Sequence, residues 1–220
     1  MQKLSDMLHW NTVTDTLKNA LIKLMKVASL KDFRLVGGTA LSLYWGHRMS
    51  VDIDLFTEAP YGSIDFEAIE SFLKDNFEYI DGEFGSNPGM GKSYLVGTDA
   101  DNAIKLDVYY AMDPFFQEIA VENGIRMATI DEIVAMKIDV VQRGGRKKDF
   151  WDLHEALNVY PIKDMIALHK QRFEWTHDEA LIKKNFTDFS NADYDFDPIC
   201  LKGKEWTFIK EDIEDAILIT

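Results

Sequence analysis

The 220-residue chain is 46% hydrophobic, enough to bury a sizeable core and too apolar for a disordered segment. Its 24 basic and 38 acidic residues leave a net charge of −14, which repels nucleic acid over most of the surface and confines any polynucleotide to a local basic patch. The single cysteine, Cys200, excludes an internal disulfide, lacks Cys or His neighbours at zinc-ligand spacing, and reads as a packing residue in a reducing cytoplasm. No apolar run is long enough to span a membrane, and the stretch through Asp15 lacks the pattern of a signal peptide.

In chain order, Leu17, Leu21, Leu24 and Ala28 recur at helical steps and predict an amphipathic helix from Thr14 to Leu30, covering a following sheet. Phe33 to Val36 reads as a short strand, Gly37-Gly38 as a tight turn, Thr39 to Trp45 as a helix and Val51 to Phe56 as a second strand. A helix is expected from Ser63 to Phe77, with Phe66, Ile69, Phe72 and Leu73 on one stripe. Strands follow at Glu78 to Phe84, Ser93 to Thr98 and Ala103 to Tyr110, the first two separated by the turn-rich segment Gly85 to Gly91. These elements predict an α/β (α+β) core, a mixed sheet flanked by helices.

The pattern changes near Thr129, where Thr129-Ile130-Asp131-Glu132 has the form of a capping box and opens an apolar-periodic helix. Gly144-Gly145 ends it, and Lys148 to Leu157 begins another, followed by short helices at Lys163 to Phe173 and His177 to Asn185. The division is therefore a core over 1–128 and a mainly helical region over 129–220. Within the latter, Asp188 to Pro198 is acidic and aromatic, and Ile209 to Ile219 fits a helix or a closing strand.

Val51-Asp52-Ile53-Asp54-Leu55 alternates apolar and acidic residues, so a strand puts both carboxylates on one face and Val51, Ile53 and Leu55 on the other. Like charges so close are relieved by a raised pKa or a cation, and an oxygen-rich pair suits Mg²⁺ or Mn²⁺. Ile104-Lys105-Leu106-Asp107-Val108 repeats the alternation and offers Asp107 as a third carboxylate. Three such groups suit two-metal chemistry on a nucleoside triphosphate (NTP), with Asp107 beside the attacking hydroxyl. Gly37-Gly38-Thr39 precedes a helix, where backbone N–H groups and the helix dipole favour phosphate.

Together with Gly46-His47-Arg48-Met49-Ser50-Val51-Asp52-Ile53-Asp54, the Gly37-Gly38-Thr39 block resembles the signature of AbiEii/AbiGii-type nucleotidyltransferases of the DNA polymerase beta superfamily. Glu132 to Lys137 and Arg143 to Leu153 resemble that family's helical motifs, in which a lysine and an aspartate complete the active site; similarity gives those roles to Lys137 and Asp149. The resemblance covers roughly residues 33 to 158. It implies a polymerase-beta-like core, Mg²⁺, an NTP donor held by Gly37, Gly38, Thr39, Arg48 and Lys137, metal on Asp52, Asp54 and Asp107, tRNA 3′ ends as acceptor, and a cognate antitoxin.

Read from the residues alone, Lys137 either snorkels from a packed helix face or points at triphosphate. Asp149 fits an ion pair as well as catalysis, Asp152 can substitute for it, and His47 and Arg48 either touch substrate or tie their loop. His154, His169 and His177 read as ordinary helix residues. Arg143, Arg146, Lys147 and Lys148 form the one dense basic run. Two further readings stay open: transfer to a small hydroxylated acceptor such as an antibiotic, and a silent nucleotide-binding module.

Overall fold

The computed structural model describes residues 8–85 and 88–218; Ser86 and Asn87 of the predicted turn, Ile219 of the last element and the first seven residues lie outside them. Among the described residues one mixed sheet contains β1 (Arg34–Val36), β2 (Asp52–Thr57), β3 (Tyr79–Gly82), β4 (Gly91–Gly97), β5 (Ala103–Tyr110), β6 (Ala120–Glu122) and β7 (Ile125–Met127). Their spatial order is β3-β4-β5-β2-β1-β7-β6. The acidic strand β2 is thus interior, antiparallel to β1 and parallel to β5. Its alternation is realised as expected: Ile53 and Leu55 are fully buried, as are Leu106 and Val108 on β5. Each such side chain contributes roughly 1.5–3 kcal/mol, enough to fix the register that turns the acidic residues to the other face. Val51 departs from the reading, since it precedes the strand and is exposed.

Helix α1 (Asp15–Leu24) packs across β2, β4 and β5, as predicted, but stops short of Leu30. The Arg126 guanidinium fixes the segment after the stop, donating to the carbonyls of Met25 (2.8 Å), Leu30 (2.9 Å) and Phe33 (3.0 Å), of which a helix running to Leu30 would have used only that of Met25 internally. Helix α2 (Gly37–Trp45) starts at the glycines themselves and ends at Gly46, whose φ of 66° is left-handed. Helix α3 (Phe66–Asn76) starts late because the Asp65 side chain caps it, accepting from the Ala68 N–H at 2.9 Å.

The hairpin β6–β7 has no counterpart in the sequence reading. Its strands are only three residues each, but Asn123-Gly124 between them takes positive φ at both positions (51° and 81°), the two-residue turn that an Asn-Gly pair announces. Helix α4 (Ile130–Gln142) is capped by Thr129 as expected. The second half of the capping box is absent: the buried Glu132 carboxylate accepts instead from the backbone N–H groups of Phe116 and Gln117 and from Arg172. Helices α5 (Lys147–Ala156), α6 (Ile162–Arg172) and α7 (Glu179–Phe186) follow close to prediction, with His177 in the loop before α7. The tail closes as helix α8 (Trp206–Leu218), not a strand, with Ile209 and Ile213 buried one turn apart.

Among the described residues two apolar clusters result. One fills the sheet and its covering helices; the other joins α4 to α8, and α4 faces both, giving Ile133 to the first and Val134, Ile138 and Val141 to the second. Cys200 packs against the second. Among the described residues no helix is long and apolar enough to cross a membrane.

Candidate active site

The carboxylates come together through sheet register. Asp54 sits opposite Asp107 on the parallel neighbour β5, and Asp52 opposite Lys105. All three acids line one cavity of about 570 Å³, together with Gly37 and Gly38 at the start of α2 and Lys137 of α4. The first N–H groups of a helix have no internal partner, so α2 presents donors to this cavity.

Burial, then the neighbouring charges of Asp107 and Asp52, push the Asp54 carboxyl up to about 6, against the smaller opposing pull of Lys137 and Lys148. Asp107 is engaged on both oxygens, accepting from Ser93 Oγ and Lys105 Nζ at 2.6 Å each. Asp52 lies 3.8 Å from Lys148 Nζ.

Gly37 packs against this pair of strands. On β1, Val36 is the register partner of Asp54, so the following residue runs past the Asp54 carboxylate; a Cβ at Gly37 would lie 2.6 Å from Asp54 Oδ2, and its φ is 71°. Gly37→Ala is expected to lower transfer activity by about tenfold or more by displacing Asp54, and to cost roughly 1–2 kcal/mol through the left-handed backbone. Initial rates and urea melts check both, and wild-type values in the variant would contradict the close approach.

Several of the residues predicted to hold triphosphate have protein partners in the structure. The Thr39 hydroxyl is turned away, bonded to Ser50 Oγ at 2.8 Å and to the Asp52 carbonyl. Arg48 is buried and grips Asp152 with two parallel bonds, Nε to Oδ1 at 2.7 Å and Nη2 to Oδ2 at 2.8 Å. His47 Nε2 lies 2.7 Å from Asp152 Oδ1, so this residue and Arg48 do tie their loop. Lys137 Nζ is 2.6 Å from Asp149 Oδ1 and 2.7 Å from Asp152 Oδ2. Asp152 is therefore the hub, 0% exposed, and it pairs with Lys137 alongside Asp149 rather than in its place.

Electrostatics hold that hub ionised. Burial raises the Asp152 carboxyl, but Arg48 and Lys137 outweigh it and leave it well below the usual carboxylate range. Burial likewise works against the Lys137 ammonium, and Asp152 with Asp149 reverses the effect and raises it. An ammonium has three donors, so Lys137, which lines the cavity, keeps one for a ligand after serving both acids. The sequence pointed to Asp149 through the family pattern; the larger role of Asp152 was legible only as an i+3 neighbour.

A divalent cation suits the donor set, since Asp52, Asp54 and Asp107 offer oxygen only, and the Asp54 carboxyl is raised by burial and then by the charges of its two neighbours. As the side chains stand, no group of three His, Cys, Asp or Glu among the described residues is placed to hold an ion; the Asp107 oxygens already serve Ser93 and Lys105.

Acids on adjacent strands facing a helix start, with a lysine from a second, helical layer closing the cavity, suit transfer of a phosphoryl or nucleotidyl group. Solved structures share the fold. JHP933 from Helicobacter pylori superposes with a TM-score of 0.61 over 92% of this chain and 88% of that one, at 20% identity. The nucleotidyltransferase toxin MenT4 (Rv2826c) from Mycobacterium tuberculosis H37Rv does so with 0.58 over 91% and 81%, at 15% identity. An uncharacterized protein of Aquifex aeolicus (strain VF5) is 28% identical over 182 residues, covering 80% of this chain and 82% of that protein. The profile of the nucleotidyl transferase AbiEii toxin family, of type IV toxin–antitoxin systems, matches residues 19–218, and the chain belongs to that family.

Proposed function

We propose that the protein transfers a nucleoside monophosphate from an NTP to the 3′-terminal hydroxyl of RNA, with tRNA as acceptor, Mg²⁺ or Mn²⁺ as cofactor and a cognate antitoxin as partner. The observation that carries this reading is the placement of Asp52, Asp54 and Asp107 on adjacent strands facing one cavity with the α2 N-terminus. The AbiEii family membership supports the toxin role and the antitoxin.

The acceptor oxygen forms a bond to the α-phosphorus, the bond from that phosphorus to pyrophosphate breaks, and the hydroxyl proton passes to Asp107. Gly37 and Gly38 present N–H groups to the phosphates, and the spare Lys137 donor meets the same oxygens. Asp149 and Asp152 keep that ammonium in place. Asp52, Asp54 and Asp107 would hold the metal, which when bound lowers the pKa of the attacking hydroxyl and offsets charge on the triphosphate.

Pyrophosphate release on adding tRNA tests the reaction. Release is expected with native 3′ ends and not with periodate-oxidised ones, whose terminal hydroxyls are gone. Release that persists with oxidised tRNA would contradict a 3′-hydroxyl acceptor.

A further inference from the structure

Beside the catalytic cavity lies a second hollow of about 360 Å³ that shares Asp52, Arg146 and Lys148 with it. Its lining carries the apolar Val51, Phe196 and Ile199 beside the acids Asp195 and Asp197, and Phe196 is 98% exposed. Singly, exposed apolar residues are ordinary; three lining a hollow that runs into a catalytic cavity are not.

The segment carrying Phe196 is fixed at both ends. Asp195 Oδ2 accepts from the Lys147 N–H at 2.9 Å, and Asp197 Oδ1 from Lys147 Nζ at 2.9 Å. Further on, the Ile199 carbonyl accepts from the Met49 N–H at 2.9 Å, Cys200 bridges to Arg48, and the Leu201 N–H donates to the His47 carbonyl at 2.9 Å. The ring is therefore a free face on a held backbone. Lys147 engages both neighbouring carboxylates, which lessens their repulsion of an anion, while Arg146 and Lys148 stand at the seam with 65% and 37% of their side chains exposed.

We infer that this hollow is the acceptor subsite, where the unpaired 3′-terminal nucleotide of the RNA stacks its base on Phe196 and sets its phosphate against Arg146 and Lys148. The inference rests on the proposed transfer to RNA. A ring face with cations beside it binds any base but only an unstacked one, so the subsite selects single-stranded ends over sequence. Its continuity with the cavity at Asp52 brings the terminal hydroxyl to the carboxylates.

The test is fluorescence anisotropy with a 5′-labelled single-stranded oligoribonucleotide bearing a free 3′ hydroxyl, alongside steady-state kinetics with tRNA. Phe196→Ala is expected to weaken binding about tenfold or more, the value of one base–aromatic stack, and to raise the KM for RNA with the KM for NTP unchanged. Phe196→Trp is expected to retain binding and Phe196→Leu to lose it, a distinction that a merely structural role would not produce. Unchanged binding in Phe196→Ala, rescue by leucine as good as by tryptophan, or a shift in the KM for NTP alone would each overturn the subsite. A wild-type protein that binds no oligonucleotide and labels no RNA would instead bring down the RNA reading together with it.

Discussion

Asp152→Ala is expected to destabilise the protein by about 3–5 kcal/mol, the cost of leaving buried charge without its partner. The substitution leaves Arg48 with only its Nη1 bond to the Met49 carbonyl, since both of its side-chain bonds to a carboxylate end on Asp152, and it removes one of two acids from Lys137. His47, already without a partner at Nδ1, loses its Nε2 contact as well. These residues come from the loop after α2, from α4 and from α5, so the network joins the sheet layer to the helical layer at the cavity wall. The folded carboxyl lies below its unfolded value, so its stabilisation is present above about pH 4 and is lost only as pH falls below that. Urea melts of wild type and variant should therefore differ fully from pH 8 to pH 5 and converge only in stronger acid. A loss under about 1 kcal/mol would contradict the hub.

Asp54→Asn is expected to separate stability from activity. The folded carboxyl is raised from 3.8 to about 6, so its contribution favours folding below pH 4 and turns unfavourable as pH rises through about 6. In a chelator at pH 7.5 the variant should be more stable than wild type, by at most about 3 kcal/mol and by less where the lost attraction to Lys137 and Lys148 counts against it. The gap should shrink towards pH 4. On the proposed reading, in which Asp54 would hold the metal, transfer should meanwhile fall at least about a thousandfold. Thermal unfolding across pH and initial rates on the same samples check the pair. A variant less stable than wild type at pH 7.5 would contradict the repulsion at the acid cluster.

The sequence exposed most of the acid half of the site, because strand alternation is a local property. Ile53 and Leu55 must be buried, and that alone turns Asp52 and Asp54 to the opposite face. What it could not expose was side-chain partnership across long separations. His47 and Asp152 stand 105 positions apart, and neither carries a pattern that names the other. Lys137 was open between packing and phosphate for the same reason; the structure shows an ammonium packed among acids that also lines the cavity. The β6–β7 hairpin failed for a different cause. Its strands are too short for periodicity, and the Asn123-Gly124 turn was the only local sign. Glu132 shows a motif satisfied in form and diverted in fact, since Arg172 and two backbone N–H groups compete successfully for its carboxylate.

Transfer of label from each α-³²P-labelled NTP tests the central claim most directly, with Mg²⁺ or Mn²⁺, total tRNA and a panel of small hydroxylated acceptors, beside an Asp52→Ala/Asp54→Ala double variant. The account predicts label at the 3′ end of tRNA that disappears in the double variant. Label on a small acceptor alone, or label on tRNA that survives the loss of both aspartates, would contradict it.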